Sequence, residues 1–421
     1  MIHSVKGVED LFPPKTDYYN FVEKEARRIF SLYGYREIRI PTFERTELFI
    51  RSVGQETDVG KQMYTFTDKG GRSISLRPEG TAGVVRAYLQ HKIYGKGKEW
   101  KVYYMGPMFR YERPQAGRLR EFYQIGVECF GVDVPWIDVE LVEMAYSFFQ
   151  NIGLKNLEIQ INSLGCKKCR SEYVRALKVY LGDNLNSLCE VCQRRYNTNT
   201  LRLLDCKNEI CRKTIEKAPK IGDFICSSCF EHFNQVLKQL DRLNIAYKVN
   251  PYLVRGLDYY TRTIFEIVSP HLGSQNTVCA GGRYDDLVAE LGGPPIPALG
   301  FAMGVERLVI SLNKAGIDIL PDRKPAVFVV TIGKDSIEEG LKIARLIRSQ
   351  NIQARVNLME KSLSSQLKEA DKEGFSWVLI IGEDELKRKK FPLKDMKSGH
   401  QVEISIGDIS NLNEYLMKRT G

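Results

Sequence analysis

Strand-like stretches that follow one another in hairpin-like runs are the feature that most limits the fold of this chain. Residues 100–112 and 121–131 form one such run, with a short loop rich in Gly, Pro and Arg between them. Residues 73–78 and 263–269 have the same strand-like character. Antiparallel strands can be joined by short loops, whereas parallel strands need a long crossover connection. The pattern therefore predicts an antiparallel sheet with helices packed beside it, an α+β fold.

The stretch before these strands predicts a helix followed by one more strand. Residues 16–34 have apolar side chains at helical spacing, and Gly34 ends the pattern. Ile38 and Ile40 then alternate with polar residues, and Pro41 stands at the end of the predicted strand. A helix that lies beside the sheet fits the same α+β architecture.

The pattern changes twice along the 421 residues, a length that itself predicts two or three domains. Residues 166–249 are basic, rich in paired cysteines and mostly helical in pattern, which indicates an insertion between residues 1–165 and 250–321 of one domain. Residues 326–421 alternate strands and amphipathic helices in the order β-α-β-α-β-β. That order predicts a small, largely parallel α/β domain, joined by a linker near residues 321–325.

The net charge of +10 is concentrated in two segments of the chain. Lys and Arg outnumber Asp and Glu by 16 to 9 in residues 166–249 and by 18 to 15 in residues 322–421. The same counts are 23 to 21 in residues 1–165 and 5 to 7 in residues 250–321. A polyanionic partner held by the outer segments explains the excess through neutralisation of phosphates. A basic, solvated surface explains it equally well.

The sequence has no stretch with the apolar length of a membrane span, for which roughly 18 uninterrupted apolar residues are needed. Residues 1–14 mix charges and prolines where a signal peptide has an apolar run. We therefore expect a cytoplasmic protein without a membrane partner.

Eight of the ten cysteines lie between residues 166 and 229, in four closely spaced pairs. In a chain without a secretion signal, paired cysteines indicate a metal site before a disulfide. Four pairs can build one or two tetrahedral Zn–S₄ sites, and their role would be structural because four thiolates leave no open coordination position. A set of unliganded thiols is the alternative. The eight residues are Cys166, Cys169, Cys189, Cys192, Cys206, Cys211, Cys226 and Cys229.

Five stretches combine charged residues with Gly or Pro inside sequence that is otherwise strand-like or apolar. They are residues 76–83, 109–124, 253–266, 280–287 and 300–308, and the last is predicted to be the start of an apolar helix. Taken singly, each has an ordinary structural explanation, as a surface arginine, an aromatic at the edge of the core or a turn.

Two of these stretches have the composition of a phosphate or ligand site. In residues 280–287, Gly281 and Gly282 would allow a backbone to approach a ligand closely. Residues 109–124 form a predicted hairpin with four arginines, and arginine is suited to bidentate phosphate binding. These arginines are Arg110, Arg113, Arg118 and Arg120.

Taken in order, the stretches resemble the motifs of a class II aminoacyl-tRNA synthetase, and more closely those of the histidyl-tRNA synthetase family. The segments YGYREIRIPTFERTELF, FRYERPQAGRLREFYQ and GFAMGVERL are similar to motifs 1, 2 and 3 of the class. The segments LVRGLDYYTRT and AGGRYDDL are similar to two signatures of the histidine enzymes. The resemblance covers essentially the whole chain. It implies the class II fold for the first domain, an anticodon-binding domain at residues 326–421, and a homodimer whose interface includes Pro41.

The resemblance implies an ATP-dependent ligase. Such an enzyme forms histidyl-adenylate and pyrophosphate from L-histidine and ATP, and then transfers histidine to the 3′ end of its tRNA. Catalysis at the α-phosphate is implied for Arg110 and Arg255, and binding of the far phosphates for Arg307. Glu112 would contact the adenine, and Mg²⁺ would arrive with ATP. Arg118 in the hairpin loop is implied to meet the acceptor end of the tRNA.

The resemblance also implies a histidine pocket built from two groups of residues. A carboxylate that accepts a ring N–H, with a tyrosine hydroxyl group on the other nitrogen, suits a ring that has one donor and one acceptor. The implied residues are Glu79, Thr81 and Gln124 for the α-amino group, and Glu128 and Tyr260, with Tyr259 nearby, for the imidazole.

Two related functions compete with this assignment. One is the synthetase-like regulatory subunit of the first enzyme of histidine biosynthesis, which is a binding module, and the other is a synthetase of the same subclass for another amino acid. The regulatory relatives normally lack the C-terminal domain whose pattern is present in residues 326–421. The signature at residues 255–260, together with Glu128, opposes the second alternative. The basic insertion fits contact with the tRNA acceptor arm, with residues 167–170 as the candidate patch.

Overall fold

The computed structural model of the chain describes residues 2–54, 57–97, 99–273, 276–319 and 326–417. The chain divides into two compact units, Met1–Ile319 and Leu320–Gly421. The predicted linker at residues 321–325 lies outside the described residues.

The described part of the first unit contains eleven strands and eleven α-helices. The strands are β1 (Arg36–Glu37), β2 (Phe43–Arg45), β3 (Thr65–Thr67), β4 (Ser73–Leu76), β5 (Trp100–Phe109), β6 (Glu121–Phe130), β7 (Glu158–Ser163), β8 (Lys248–Val249), β9 (Thr261–Val268), β10 (Thr277–Arg283) and β11 (Ala298–Gly304). The helices are α1 (Lys15–Leu32), α2 (Thr46–Val53), α3 (Asp58–Lys61), α4 (Thr81–Gln90), α5 (Pro135–Asn151), α6 (Lys167–Gly182), α7 (Glu190–Thr198), α8 (Glu209–Ile215), α9 (Ser227–Arg242), α10 (Leu287–Glu290) and α11 (Val305–Lys314).

Eight of these strands form one sheet in the order β1-β5-β6-β11-β10-β9-β7-β8. The outer pairs β1–β5 and β7–β8 are parallel, and the pairs between them are antiparallel. The hairpin predicted from residues 100–112 and 121–131 is β5–β6, whose register joins Trp100 to Phe130 and Phe109 to Glu121. The predicted α+β fold, with a mainly antiparallel sheet and flanking helices, is confirmed.

The helix predicted at residues 16–34 is α1, but the strand predicted after it is wrong in its extent. Only Arg36–Glu37 joins the large sheet, while Phe43–Arg45 belongs to a separate three-stranded sheet with the order β2-β4-β3. The break lies at Ile40 and Pro41, whose carbonyl groups accept hydrogen bonds of 2.7 and 3.4 Å from Nη1 of Arg77. Pro41 has no N–H group to donate to a neighbouring strand. The chain therefore leaves the sheet at this point.

The large sheet packs a core of apolar side chains against helices on one face. Side chains alternate between the two faces along a strand, and Val127, Phe265 and Phe301 point into this core, where α1, α5, α9 and α11 cover them. Tyr104 and Ile264 lie in a second cluster with side chains of α4 and α6. Because α9 packs in the first core, it belongs structurally with the sheet, although the sequence analysis placed residues 166–249 together in the insertion.

The second unit is an α/β domain in which a mixed sheet packs against helices. The sheet order is β13-β12-β14-β15-β16, with β13–β12–β14 parallel and β14–β15–β16 antiparallel. The predicted order lacks one of these strands, because Pro392 and three charged residues hide the strand pattern of Lys390–Asp395. The elements are β12 (Ala326–Thr331), α12 (Lys334–Ser349), β13 (Gln353–Val356), α13 (Leu363–Lys372), β14 (Trp377–Ile381), α14 (Glu383–Arg388), β15 (Lys390–Asp395), β16 (Gln401–Ser405), α15 (Ile406–Ile409) and α16 (Leu412–Met417).

Among the described helices of both units, none combines the length and the apolar character that a membrane crossing requires.

Candidate active site

A strip of small residues lies on the face of the sheet opposite α1 and α5. In the register of β11 with β6, Gly300, Ala302 and Gly304 lie opposite Glu128, Gly126 and Gln124. A Cβ atom added at Gly304 would meet no atom within 4 Å, so the space above this end of the strip is open. The small-residue strip, Gly300 to Gly304 on this face, therefore lets a bound molecule lie close to the backbone.

Glu128 is the buried carboxyl group at one end of the small-residue strip, with 1% of its surface exposed. The hydroxyl group of Thr81 donates a 2.6 Å hydrogen bond to its Oε1 atom, and the hydroxyl group of Tyr284 donates to its Oε2 atom. Burial raises the pKa of Glu128 to about 8, and the nearby charge of Glu79 acts in the same direction. The two hydroxyl donors oppose this shift, because they favour the ionised form. The result is a carboxyl group that exchanges its proton near neutral pH, as functional acids and bases often do.

Glu79 stands at the start of α4 and is buried as well. Its carboxylate accepts hydrogen bonds from the backbone N–H groups of Thr81, at 2.7 Å, and Ala82, at 2.9 Å. These N–H groups have no partner within the helix, so Glu79 satisfies them and complements the positive end of the helix dipole. The same contacts place Thr81 where its hydroxyl group reaches Glu128.

Tyr104 of β5 connects α4 to Gln124. A Cβ atom at Gly80 or Gly126 would lie 2.2 or 2.3 Å from atoms of the Tyr104 ring, so both positions must be glycine for the ring to fit. The hydroxyl group of Tyr104 donates a 3.2 Å hydrogen bond to Oε1 of Gln124. The structure therefore brings Glu79, Thr81 and Gln124 around one buried tyrosine.

Tyr259 and Tyr260 are both buried beside this group. Their ring centroids are 4.8 Å apart, and the ring of Tyr259 lies 5.6 Å from that of Tyr284. Burial raises the pKa of both residues, and the charge of Glu128 contributes in each case. Both tyrosines therefore present neutral hydroxyl groups near the carboxyl group of Glu128.

Arg255 and Arg307 are linked through two residues of the sheet. Arg255 forms an ion pair with Glu266, and its guanidinium group lies 5.7 Å from the ring centroid of Tyr260. Thr277 donates its hydroxyl group to Glu266 at 2.8 Å, and its carbonyl group accepts a 2.8 Å hydrogen bond from Nη1 of Arg307. Two arginines from distant parts of the sequence thus converge at the paired strands β9 and β10.

The loop between β5 and β6 brings two more arginines to the same region. Nε of Arg110 donates a 2.8 Å hydrogen bond to the carbonyl group of Pro78, and Arg118 pairs with Glu112 at 3.3 Å. Nε of Arg307 donates to the carbonyl group of Gly117 in this loop at 3.4 Å. Burial lowers the pKa of Arg110 and of Arg307, and the positive charge of Arg118 adds to the effect in both. Four arginines therefore lie in one region, where Arg118 and Arg255 are already paired with carboxylates, and such a group of arginines can attract an anion.

Several residues that the sequence analysis singled out have other surroundings. Arg113 is exposed, and the guanidinium group of Arg120 stacks on the ring of Tyr111 at 4.1 Å. Cβ atoms at Gly281 and Gly282 would lie 2.3 and 2.5 Å from carbonyl oxygens of neighbouring strands, so these glycines admit the backbone of the sheet rather than that of a ligand.

The helix start predicted for residues 300–308 is present only in the second half of the stretch. Its first half continues β11 to Gly304, and α11 begins at Val305. Glu306 accepts a 2.8 Å hydrogen bond from the backbone N–H group of Tyr123, which ties α11 to β6. The prediction failed because small and apolar residues alternate over a stretch too short to separate strand from helix.

Two residues at the centre of the arrangement were missed by the sequence analysis. Tyr284 is fully buried and bonded to Glu128, and Glu266 joins Arg255 to Thr277. Both lie inside stretches that were selected, 280–287 and 253–266. Their contacts depend on strand pairings that no local pattern reveals.

The eight cysteines of the insertion form two groups of four. Cys166, Cys169, Cys226 and Cys229 make up the first cysteine cluster, and Cys189, Cys192, Cys206 and Cys211 the second cysteine cluster. Within each group, all sulfur atoms lie within 4.8 Å of one another. The starts of α6 and α9 meet at the first cluster, while the second cluster lies between them in sequence.

Comparison with known proteins identifies the family of this chain. A family profile described as histidyl-tRNA synthetase matches residues 7–308. The chain belongs to the histidyl-tRNA synthetase family. A second profile, described as an anticodon binding domain, matches residues 326–413. The family resemblance and the enzyme class that it implies, an ATP-dependent aminoacyl-tRNA ligase, are confirmed.

Relatives in the histidyl-tRNA synthetase family match the chain over nearly its full length. The histidine–tRNA ligase of Thermodesulfovibrio yellowstonii is 48% identical over 410 residues, which is 97% of each chain. That of Halothermothrix orenii is 48% identical over 418 residues, which is 99% of each chain. The crystal structure of apo S. aureus histidyl-tRNA synthetase is similar with a TM-score of 0.83, at 36% identity and 99% coverage of both chains.

Proposed function

We propose that this chain activates histidine with ATP and then transfers the histidyl group to tRNA. The observation that carries the proposal is the position of Tyr260, whose ring lies 5.7 Å from the guanidinium group of Arg255 and 4.8 Å from the ring of Tyr259. Tyr259 in turn lies against Tyr284, which donates a hydrogen bond to Glu128. Arginines suited to a phosphate group and a buried carboxyl group suited to an imidazole are thus adjacent. Family membership and relatives at 48% identity support the same activity.

In the first step, the carboxylate of histidine would attack the α-phosphorus of ATP, which is supplied as its magnesium complex. A bond forms between a carboxylate oxygen and the phosphorus, and the bond to the bridging oxygen of pyrophosphate breaks. Arg110 and Arg255 would stabilise the negative charge on the α-phosphate, and Arg307 would hold the departing phosphates. Because their hydrogen bonds to Pro78, Glu266 and Thr277 hold these arginines before the substrate arrives, little reorganisation is needed. Glu112, paired with Arg118 in the same loop, would contact the adenine.

Histidine would be recognised at the carboxyl group of Glu128. This group can accept the ring N–H of the substrate, and the hydroxyl group of Tyr260, with Tyr259 behind it, would donate to the other ring nitrogen. Glu79, Thr81 and Gln124 would hold the α-amino group at the start of α4. A pocket made of buried polar groups discriminates strongly, since an analogue without the matching donors leaves those groups unpaired.

In the second step, the terminal hydroxyl group of the tRNA would attack the carbonyl carbon of the adenylate and release AMP. Arg118, whose side chain on the β5–β6 loop is 40% exposed, would meet the acceptor end. The second unit would bind the anticodon, in keeping with the family profile at residues 326–413. Its excess of basic over acidic residues is small, 18 to 15 over residues 322–421, so shape and hydrogen bonding must contribute to this contact.

A homodimer is part of the proposal. Pro41 and Thr42 are exposed, and Phe43 has 57% of its surface exposed although it is apolar. Exposed apolar side chains next to the motif 1 proline suit a protein interface. Light scattering on the purified chain tests the stoichiometry, and a monomer at micromolar concentration would contradict it.

The experiment that tests the activity is histidine-dependent exchange of pyrophosphate into ATP. We expect exchange with L-histidine and none with other amino acids. Histidinol, which has the imidazole and the amino group but no carboxylate, should inhibit exchange without supporting it. Histidine binding without exchange would instead indicate a regulatory module, and exchange with a different amino acid would indicate a different synthetase.

A further inference from the structure

The sulfur atoms of the two cysteine clusters have the spacing of a four-coordinate metal site. Sγ of Cys166 and Sγ of Cys169 are 3.5 Å apart, and Sγ of Cys189 and Sγ of Cys206 are 3.9 Å apart. Four sulfurs at the usual Zn–S distance of about 2.3 Å, arranged as a tetrahedron, are separated by about 3.8 Å. A disulfide would need about 2.05 Å instead. The arrangement matches a mononuclear tetrathiolate site in both clusters.

Backbone groups support both clusters as a second layer of contacts. The N–H group of Cys226 donates to Sγ of Cys169 at 3.1 Å, and the N–H group of Cys189 donates to Sγ of Cys211 at 3.2 Å. Such donors stabilise thiolates, which are the form that binds metal. Gly165 precedes the first cluster with φ +64°, and a Cβ atom there would lie 2.5 Å from Cβ of Cys169. The absence of a side chain at Gly165 therefore allows the backbone to pass close to Cys169 in the first cluster.

The position of the first cysteine cluster indicates that it joins the insertion to the sheet domain. Two of its members lie at the start of α6, where the insertion begins, and two at the start of α9, which packs against the central sheet. A metal at this cluster would clamp the insertion to the sheet domain. The second cluster joins the start of α7 to Cys206 and to Cys211 of α8, and so would hold the insertion together internally.

We propose that the two cysteine clusters bind one structural Zn²⁺ ion each and thereby position the segment that carries Tyr259 and Tyr260. Arg170, one residue after the first cluster, donates hydrogen bonds of 2.7 and 3.0 Å to the carbonyl groups of Asp258 and Tyr260. Asn199, which ends the helix that begins at the second cluster, donates a 2.6 Å hydrogen bond to the side chain of Asp258. Residues next to both clusters therefore hold the same loop, which contains Asp258 and Tyr260. The part of the proposal that concerns Tyr259 and Tyr260 rests on the proposed function.

The charge of the insertion agrees with two zinc centres. Residues 166–249 have a net charge of +7 when cysteine is counted as neutral, from 16 basic and 9 acidic residues. Each zinc bound by four thiolates carries a net charge of −2, so two centres lower the total to +3. Part of the positive charge of the insertion then neutralises the zinc–thiolate centres rather than the phosphates of a tRNA. Arg170, once a candidate for tRNA contact, is already engaged with the loop.

Metal analysis of the purified full chain tests the first half of the proposal. We expect two zinc ions per chain, four sulfur neighbours at about 2.3 Å in X-ray absorption, and one zinc ion each in Cys229→Ser and Cys211→Ser. Cys279→Ala, which removes a cysteine of β10 outside both clusters, should keep two. The proposal would be overturned if the wild-type protein contained no zinc, or if it contained iron in place of zinc. Either result holds even if the serine variants fail to fold.

Arg170 tests the second half as a positioning residue. Arg170→Ala should keep two zinc ions and raise KM for histidine about 10-fold, with smaller changes in kcat and in KM for ATP, since hydrogen bonds under the histidine pocket are lost. Arg170→Lys should restore part of the affinity, and Arg175→Ala, at an exposed position of the same helix, should leave KM for histidine unchanged. An equal rise in KM for histidine and for ATP, or no change in either, would refute the role of Arg170 in positioning the histidine pocket. If the wild-type chain shows no pyrophosphate exchange at all, the proposed function fails while the zinc measurement stands by itself.

Discussion

The hydroxyl group of Thr81 donates a 2.6 Å hydrogen bond to Glu128, a residue 47 positions later in the chain. This bond joins the start of α4 to the last part of β6, and the hydroxyl group of Tyr284, just after β10, donates to the other carboxyl oxygen. Glu128 is therefore fixed in place before any ligand arrives. Such preorganisation lowers the cost of binding a substrate in one orientation.

Replacement of Tyr284 by phenylalanine tests this support directly. Tyr284→Phe removes one of the two hydroxyl donors of Glu128 and keeps the buried ring. We expect KM for histidine to rise about 10-fold, because loss of one partner of a buried polar group costs roughly 1–3 kcal/mol. KM for ATP should change little. Tyr173→Phe, in a buried tyrosine of α6 outside this group, is the matched control, and an equal effect in both variants would show a general loss of packing.

The pKa of Glu128 predicts a specific pH dependence of stability. Burial raises this pKa from 4.5 to about 8, so between these values the folded chain holds a proton that the unfolded chain has released. The contribution of Glu128 to stability is therefore fully present below about pH 4.5 and is lost as the pH rises through about 8. Glu128→Gln cannot titrate. The unfolding midpoint of this variant should rise relative to wild type between pH 5.5 and pH 8.5, by an amount equivalent to a few kcal/mol at most.

Thermal unfolding followed by circular dichroism at several pH values measures this difference. Subtracting the unfolding midpoint of wild type from that of Glu128→Gln at each pH cancels the contribution of the other carboxyl groups. A constant difference across the range would mean that Glu128 keeps an ordinary pKa. Glu128→Gln should also raise KM for histidine, which separates the pocket role from the stability effect.

Gly300 provides a steric test of the same carboxyl group. A Cβ atom at Gly300 would lie 2.0 Å from Oε2 of Glu128 and 2.3 Å from the carbonyl oxygen of Val127, so alanine must displace both. We expect Gly300→Ala to reduce kcat/KM for histidine by at least 10-fold and to lower the unfolding midpoint. Gly222→Ala is the control, because its Cβ atom would enter open space and Gly222 lies outside the small-residue strip. If both variants behave alike, the small-residue strip does not need glycine opposite Glu128.

Local patterns in the sequence were enough for the elements that position the site. The strands predicted at residues 121–131 and 73–78 are observed as β6, which contains Gln124 and Glu128, and as β4, which ends shortly before Glu79. These features depend on neighbours within a few residues, so periodicity and capping rules can find them.

Contacts made between distant strands were beyond the same rules. Tyr284 directly follows β10 and reaches Glu128 of β6 across the intervening strand β11, and the sequence contains no local sign of that strand order. The division of the cysteines into clusters has the same origin, since Cys166 joins Cys226 only after the insertion folds back on itself. The split strand at Pro41 depends on Arg77, which is also distant in sequence. Tertiary structure decided each of these outcomes.

Arg255 gives the sharpest test of the proposed chemistry. Its guanidinium group is held by the ion pair with Glu266, so Arg255→Gln removes a fixed positive charge from the region where the α-phosphate would lie. We expect the rate of histidine-dependent pyrophosphate exchange to fall on the order of 10²–10³-fold, which is typical for the loss of one preorganised donor. Arg262→Gln is the control, because Arg262 is also ion-paired, with Asp133 at 2.8 Å, and lies on the adjoining strand β9. A similar fall in both variants would show that the loss of an ion pair, rather than of a phosphate ligand, governs the rate.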